Sequence, residues 1–138
     1  MRVLLDTNVI LDFLLEREPF ISDAETVFEA IQSQQIVGYV TATTLTDIFY
    51  IVRRETRSID RARQAVIETL TAMEVCPVDG SILETAIASN ISDFEDAVQL
   101  ACAIANNLDA IITRDVRGFA EATLPILSAG ELLERLGD

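Results

Sequence analysis

The sequence predicts an α/β fold built on a five-stranded parallel sheet, and three observations lead there. Short apolar runs alternate with longer segments of helical period. Two of the five runs, the third and the fifth, carry a proline. No linker, repeat or low-complexity stretch divides the 138 residues, so residues 1–138 are expected to form one domain, long enough to bury a sizeable core.

The runs are Val3–Leu5, Ile36–Val40, Val75–Val78, Ala110–Thr113 and Leu124–Leu127. Between the first two, Phe20–Ser33 reads as a helix with Phe20, Ala24, Val27, Phe28 and Ile31 on one face. Leu45, Ile48, Phe49 and Val52 repeat at the spacing of a helical stripe, and so do Ala62, Ala65, Val66, Thr69, Leu70 and Met73. Ala97–Ala105 is apolar almost all round, as in a helix buried on most sides. Pro77 and Pro125 cannot donate to a central ladder, so the third and fifth strands are expected at the edges. Strand order 3-2-1-4-5 satisfies this with right-handed crossovers. It also puts the topological switch point, where open α/β sheets bind ligands, between strands one and four.

Composition then narrows the chemistry. Half of the residues are hydrophobic and 24% are charged, as in a globular protein. The apolar first fifteen residues are interrupted by Asp6 and Asp12, which fits neither a secretory signal nor a membrane span. Two cysteines, Cys76 and Cys102, do not make a disulfide framework, and a reduced, cytoplasmic setting is expected. The absence of histidine excludes Ser-His-Asp and Cys-His catalysis and His-ligated zinc. All ten basic residues are arginine, which excludes Schiff-base chemistry and the lysine of a Walker-type loop. Any catalysis must run on carboxylates, most simply through a bound cation.

Four aspartates fall where the predicted topology gathers them. Asp6 ends the first strand, Asp47 lies one turn into the helix after the second, Asp96 opens the buried helix before the fourth, and Asp115 closes the fourth. Each also has a purely structural explanation. Asp6, Thr7 or Asn8 can cap a helix, and Thr44–Asp47, Asp93–Asp96 and especially Ser92–Glu95 have capping-box spacing. Placement on one rim weighs the other way, because crowded carboxylates repel unless a cation compensates them. Carboxylates and waters suit Mg²⁺ or Mn²⁺, and such a site supports phosphodiester hydrolysis without histidine.

These segments resemble the PIN-domain family: Leu5-Asp6-Thr7-Asn8-Val9, the Asp47 helix, Asp93-Phe94-Glu95-Asp96-Ala97, and Thr113-Arg114-Asp115 before Phe119. The resemblance covers nearly the whole chain. It implies a Rossmann-like three-layer α/β/α fold, a Mg²⁺- or Mn²⁺-dependent endoribonuclease, and often a homodimer. Among small free-standing bacterial members it implies a VapC-type toxin restrained by a cognate antitoxin. It further implies that Asp6, Asp96 and Asp115 bind metal, with Asn8 and Thr113 orienting them. Asp47 stands where the family commonly has glutamate, which points to a water-bridged or base-positioning role.

Two similar architectures are disfavoured. A receiver domain expects an early acidic pair and a late lysine, and an aspartyl phosphatase a second aspartate where Asn8 stands. A non-catalytic PIN-like module, acting through RNA or protein contacts, is the alternative of another class. A net charge of −13 argues against nucleic acid, but five arginines lie between Arg53 and Arg63. Arg53 and Arg54 of that group, and Arg114 beside Asp115, are the candidate RNA contacts, with surface salt bridging as the competing explanation for the group. The early helix around Phe13 and Leu14 and the terminal helix around Leu132, Leu133 and Leu136 are candidate surfaces for a dimer mate or antitoxin, unless they fill the protein's own core.

Overall fold

In a computed structural model describing residues 1–120 and 122–137, the chain alternates strands and helices as the sequence predicts. In chain order the elements are β1 (Arg2–Leu5), α1 (Thr7–Leu14), α2 (Ile21–Gln32), β2 (Val37–Thr41), α3 (Ala42–Thr56), α4 (Ile59–Ala72), β3 (Glu74–Cys76), α5 (Gly80–Ala88), α6 (Phe94–Ala105), β4 (Ala110–Ile112), a 3₁₀ turn (Val116–Phe119), β5 (Ile126–Leu127) and α7 (Ala129–Gly137). The five strands form one parallel sheet in the order β3-β2-β1-β4-β5. Two prolines make this order legible. β3 stops just before Pro77 and β5 starts just after Pro125, each at an edge.

Strand alternation divides the core between the two faces. Val3 and Leu5 face one side of the sheet, where they join Val9, Ile10, Val27, Phe28, Ile48, Ala62 and Leu132 from α1, α2, α3, α4 and α7. Leu4 and Ile111 face the other side and pack with Ala86, Ala97, Val98 and Cys102 from α5 and α6. The result is three layers. Gly38 on β2 permits close packing, since a Cβ there would meet Ile31 Cδ1 at 2.8 Å.

Two side chains depart from the predicted helix faces. Leu70 is 50% exposed, and Phe20 is 38% exposed and precedes α2 instead of joining its buried stripe. The helix α5 has no counterpart in the apolar periodicity of the sequence. Its Leu83 and Ile87 are exposed, so no clean apolar stripe marks it. No helix among the described residues is long and apolar enough to cross a membrane.

Candidate active site

The carboxyl ends of β1, β2 and β4 bring one side chain after another to the same rim. Asp6 follows β1 directly and is the N-cap of α1, its Oδ1 accepting from Thr7 N at 2.7 Å. Two more donors hold it: Gln99 Nε2 at 2.9 Å from Oδ1, and Thr113 Oγ1 at 2.8 Å from Oδ2. The structural and functional explanations of Asp6 are thus compatible, because the capping bond fixes the carboxylate while leaving it beside a pocket. Thr113 also accepts from Asp115 N at 3.0 Å, so one hydroxyl links the ends of β1 and β4.

Asp96 lies in the first turn of α6, whose N-cap is Asp93, with Asp93 Oδ1 accepting from Asp96 N at 3.0 Å. Of the two capping patterns there, the Asp93–Asp96 spacing places the cap and Ser92 does not. Glu95 is instead turned inward, where its Oε1 accepts from Thr7 Oγ1 at 3.0 Å and its carboxyl hydrogen-bonds to Asp47. The Thr44–Asp47 spacing likewise does not form the cap of α3. Thr41 does, its Oγ1 accepting from Thr44 N at 3.2 Å.

Asp6, Asp47, Asp96 and Asp115, the four predicted acids, line one open pocket of about 380 Å³ together with Asn8, Ile51, Asp93 and Glu95. Six carboxylates therefore face a single space, and none of them is in an ion pair among the described residues. Burial and crowding together raise the pKa of two of them, Asp96 and Glu95. Burial, reinforced by Asp93, Asp6 and Asp115, raises Asp96 to about 6. Burial and the bonded Asp47 raise Glu95 to about 7, against which the Thr7 hydroxyl works weakly. Gly118 leaves room for two of these carboxylates. A Cβ there would stand 2.7 Å from Asp96 Oδ2 and 3.3 Å from Asp115 Oδ2, so both oxygens lie close to one point. Its φ is not positive, so space rather than backbone freedom explains the glycine.

The donor chemistry fits a hard divalent cation: oxygen ligands, excess negative charge and an open face for water. Among the described residues no three acidic or cysteine side chains stand close enough to hold an ion as placed. Asp6 is already held in place by its three donors.

Two contributors are not among the predicted acids. Glu95 has the spacing of a capping residue, which conceals its inward turn. Gln99, fully buried and bonded to Asp6, does carry a signal: it is the one polar residue in an otherwise apolar run, one turn after Asp96. Of the arginines, Arg53 and Arg54 are exposed at the end of α3 and pair with no carboxylate among the described residues. Arg114 points away from the acids. Its Nε sits 3.1 Å from Asp12 Oδ2, and its guanidinium stacks on Phe20, 4.0 Å from the ring centroid. Leu132 is fully buried, and Leu133 and Leu136 pack against the same core, so the terminal helix fills the protein's own interior.

The sequence matches the PIN-domain family over residues 2–117. No curated protein sequence matches it. Similar solved structures include a toxin–antitoxin complex from Klebsiella pneumoniae, with 20% identity, a TM-score of 0.68, and 92% of this chain and 97% of that chain covered. A sarcin–ricin loop cleaving VapC toxin of Mycobacterium tuberculosis has 17% identity and a TM-score of 0.68, covering 88% of this chain and 95% of that one. A VapBC-1 structure from nontypeable Haemophilus influenzae has 17% identity and a TM-score of 0.67, with 94% and 99% covered.

Proposed function

The chain belongs to the PIN-domain family, and from that premise we propose that the acidic pocket is the active site of a Mg²⁺- or Mn²⁺-dependent endoribonuclease, the toxin of a toxin–antitoxin pair. One observation carries the proposal: acids from four separate elements line one pocket, and among the described residues no arginine pairs with them. A fold tolerates such crowding when a cation offsets it.

In this reading Asp6, Asp96 and Asp115 hold the ion. When bound, it supplies charge neutralisation at the phosphoryl group and acidifies water. The protein's own groups do the rest. Gln99 and Thr113 fix the rotamer of Asp6, so its carboxylate needs no reorganisation. Glu95, raised to about 7 by burial and by the neighbouring Asp47, receives a hydrogen bond on Oε1 from Thr7 Oγ1. Glu95 in its ionised form is the proposed acceptor of the proton released when water attacks the phosphodiester. Asp47, Ile51 and Arg54 lie on one stripe of α3, which puts Arg54 roughly 10 Å along the helix from Asp47. Arg53 and Arg54 are the proposed contacts for RNA phosphates beyond the scissile one.

A cognate antitoxin is the proposed partner, because the Klebsiella neighbour is a toxin–antitoxin complex. The groove proposed to receive it, about 560 Å³, is lined by Phe13, Phe28, Ile31 and Ile67 between α1, α2 and α4. Light scattering at micromolar concentration tests the homodimer.

The deciding experiment is incubation of the purified chain with single-stranded RNA, and separately DNA, in Mg²⁺, Mn²⁺ or chelator. Metal-dependent endonucleolytic cleavage of RNA is expected. RNA binding without cleavage in either metal would return the protein to a non-catalytic binding module.

A further inference from the structure

We infer that Asp12 is a positioning residue for the acidic pocket, holding through Arg114 the segment that carries Asp115 and, through Arg17, the side chain of Asn8 on its own helix. The inference rests on the reading of that pocket as a divalent-cation site. Asp12 lies on α1 and is only 2% exposed, yet it lines no part of the pocket. One oxygen, Oδ2, meets Arg114 Nε at 3.1 Å. The other, Oδ1, is buried without a hydrogen-bond partner and stands 4.0 Å from Arg17 Nη1. Arg17 in turn donates from Nη1 to Asn8 Oδ1 at 3.3 Å and from Nη2 to Glu55 at 3.2 Å. One buried carboxylate thus meets two guanidinium groups, Arg114 closely and Arg17 at 4.0 Å, and each arginine adjoins a residue that lines the site.

The Arg114 arm is the more constrained. Its guanidinium is pinned by Asp12 and by the Phe20 ring, which explains why Phe20 lies outside the core stripe. Arg114 is flanked by Thr113, whose hydroxyl is bonded to Asp6, and by Asp115, which faces the pocket. Fixing Arg114 on the far side therefore fixes the direction in which the next residue leaves the strand. A buried ion pair is no more stabilising than well-packed apolar residues of similar size. What this one adds is geometry: it ties α1 and the approach to α2 to the exit of β4.

The test uses the full chain with Asp12→Asn, Asp12→Leu, Phe20→Leu and Arg114→Gln. Mn²⁺ affinity is read from calorimetry and from the metal-induced rise in Tm, beside RNA kinetics and hydrogen exchange of the amides of residues 113–118. The Asp12 and Arg114 variants should need about ten- to a hundredfold more Mn²⁺, as for other outer partners of metal ligands. Faster exchange should be confined to 113–118, kcat should fall, and KM for RNA should hold. Phe20→Leu, a change at a part-exposed ring, should show the same pattern more weakly, and it decides the matter if the Asp12 variants do not fold. Wild-type Mn²⁺ affinity and exchange in the folded variants would overturn the inference and leave the pocket reading standing. So would an Arg114→Gln chain that binds RNA more weakly with unchanged Mn²⁺ affinity, since that makes Arg114 a substrate contact. A wild-type chain that does not bind Mn²⁺ would overturn the pocket reading and this inference with it.

Discussion

Asp12 and Asp96 are both acids drawn out of water, and they are treated in opposite ways. Around Asp12 burial raises the carboxyl, and Arg114 and Arg17 pull it back down. Around Asp96 burial also raises the carboxyl, and three further aspartates push it higher, to about 6. Arg114 and Asp115 are adjacent in sequence, yet the arginine serves the first region and the aspartate the second. The fold thus supplies cations where an acid has a structural role and withholds them where the acids gather. The difference separates a compensated charge from an uncompensated cluster, and it can be tested from either side.

The largest expected effect is on Asp96→Asn. Cleavage should fall by at least about a hundredfold, since the ion provides both charge stabilisation and the activated water. In chelator the variant should melt no lower than wild type, because a repelling charge has gone. In Mn²⁺ it should gain much less than wild type. Retained metal-induced stabilisation together with retained cleavage would break the comparison.

Arg114→Ala probes the other region. It strands Asp12, and the loss should be about 2–3 kcal/mol, below the upper range for a broken buried pair because Arg17 remains nearby. Urea denaturation measures it, and a loss under about 0.5 kcal/mol would reduce the pair to surface electrostatics.

Gly118→Ala sharpens the contrast further. The atoms nearest the new methyl belong to two side-chain carboxylates, so folding should be nearly unaffected. Those carboxylates must then turn aside, and Mn²⁺ affinity should drop about tenfold, as for disturbed ligand orientation. Unchanged affinity by calorimetry would show that the space before Gly118 is not used.

Arg53→Ala with Arg54→Ala should weaken RNA binding severalfold and lower its salt slope by about 2, one for each phosphate no longer neutralised. An unchanged slope would remove them from the RNA path.

The smallest effect is a drift with pH in chelator. Asp96 and Glu95 have folded values of about 6 and about 7, above their ordinary 3.8 and 4.5. The folded state therefore binds protons more tightly than the unfolded one, and stability contributed by these groups is lost as pH rises from about 4 through 7. Melts in chelator should decline across that window, and saturating Mg²⁺ should flatten the decline. A chelated protein whose stability rises steadily there would contradict the acidic crowding.

Sequence by itself determined the α/β class, the parallel strand order and the four acids, each through a local rule. Alternation of apolar runs follows from what a buried strand must contain, and the edge positions of β3 and β5 follow from prolines that cannot donate. The acids could be placed because strand ends and helix starts are legible and the order brings those ends together. Only the tertiary structure decided which acids are compensated. Asp12 and Asp96 look alike in a sequence, since burial and partners far along the chain distinguish them: Arg114 is over a hundred positions from Asp12. The same holds for Glu95, whose capping spacing hid a bond to Thr7 eighty-eight residues away. Helix propensity and charge pattern report on neighbours within a turn or two. Which charges are neutralised depends on contacts between elements, and those exist only once the sheet has closed them together.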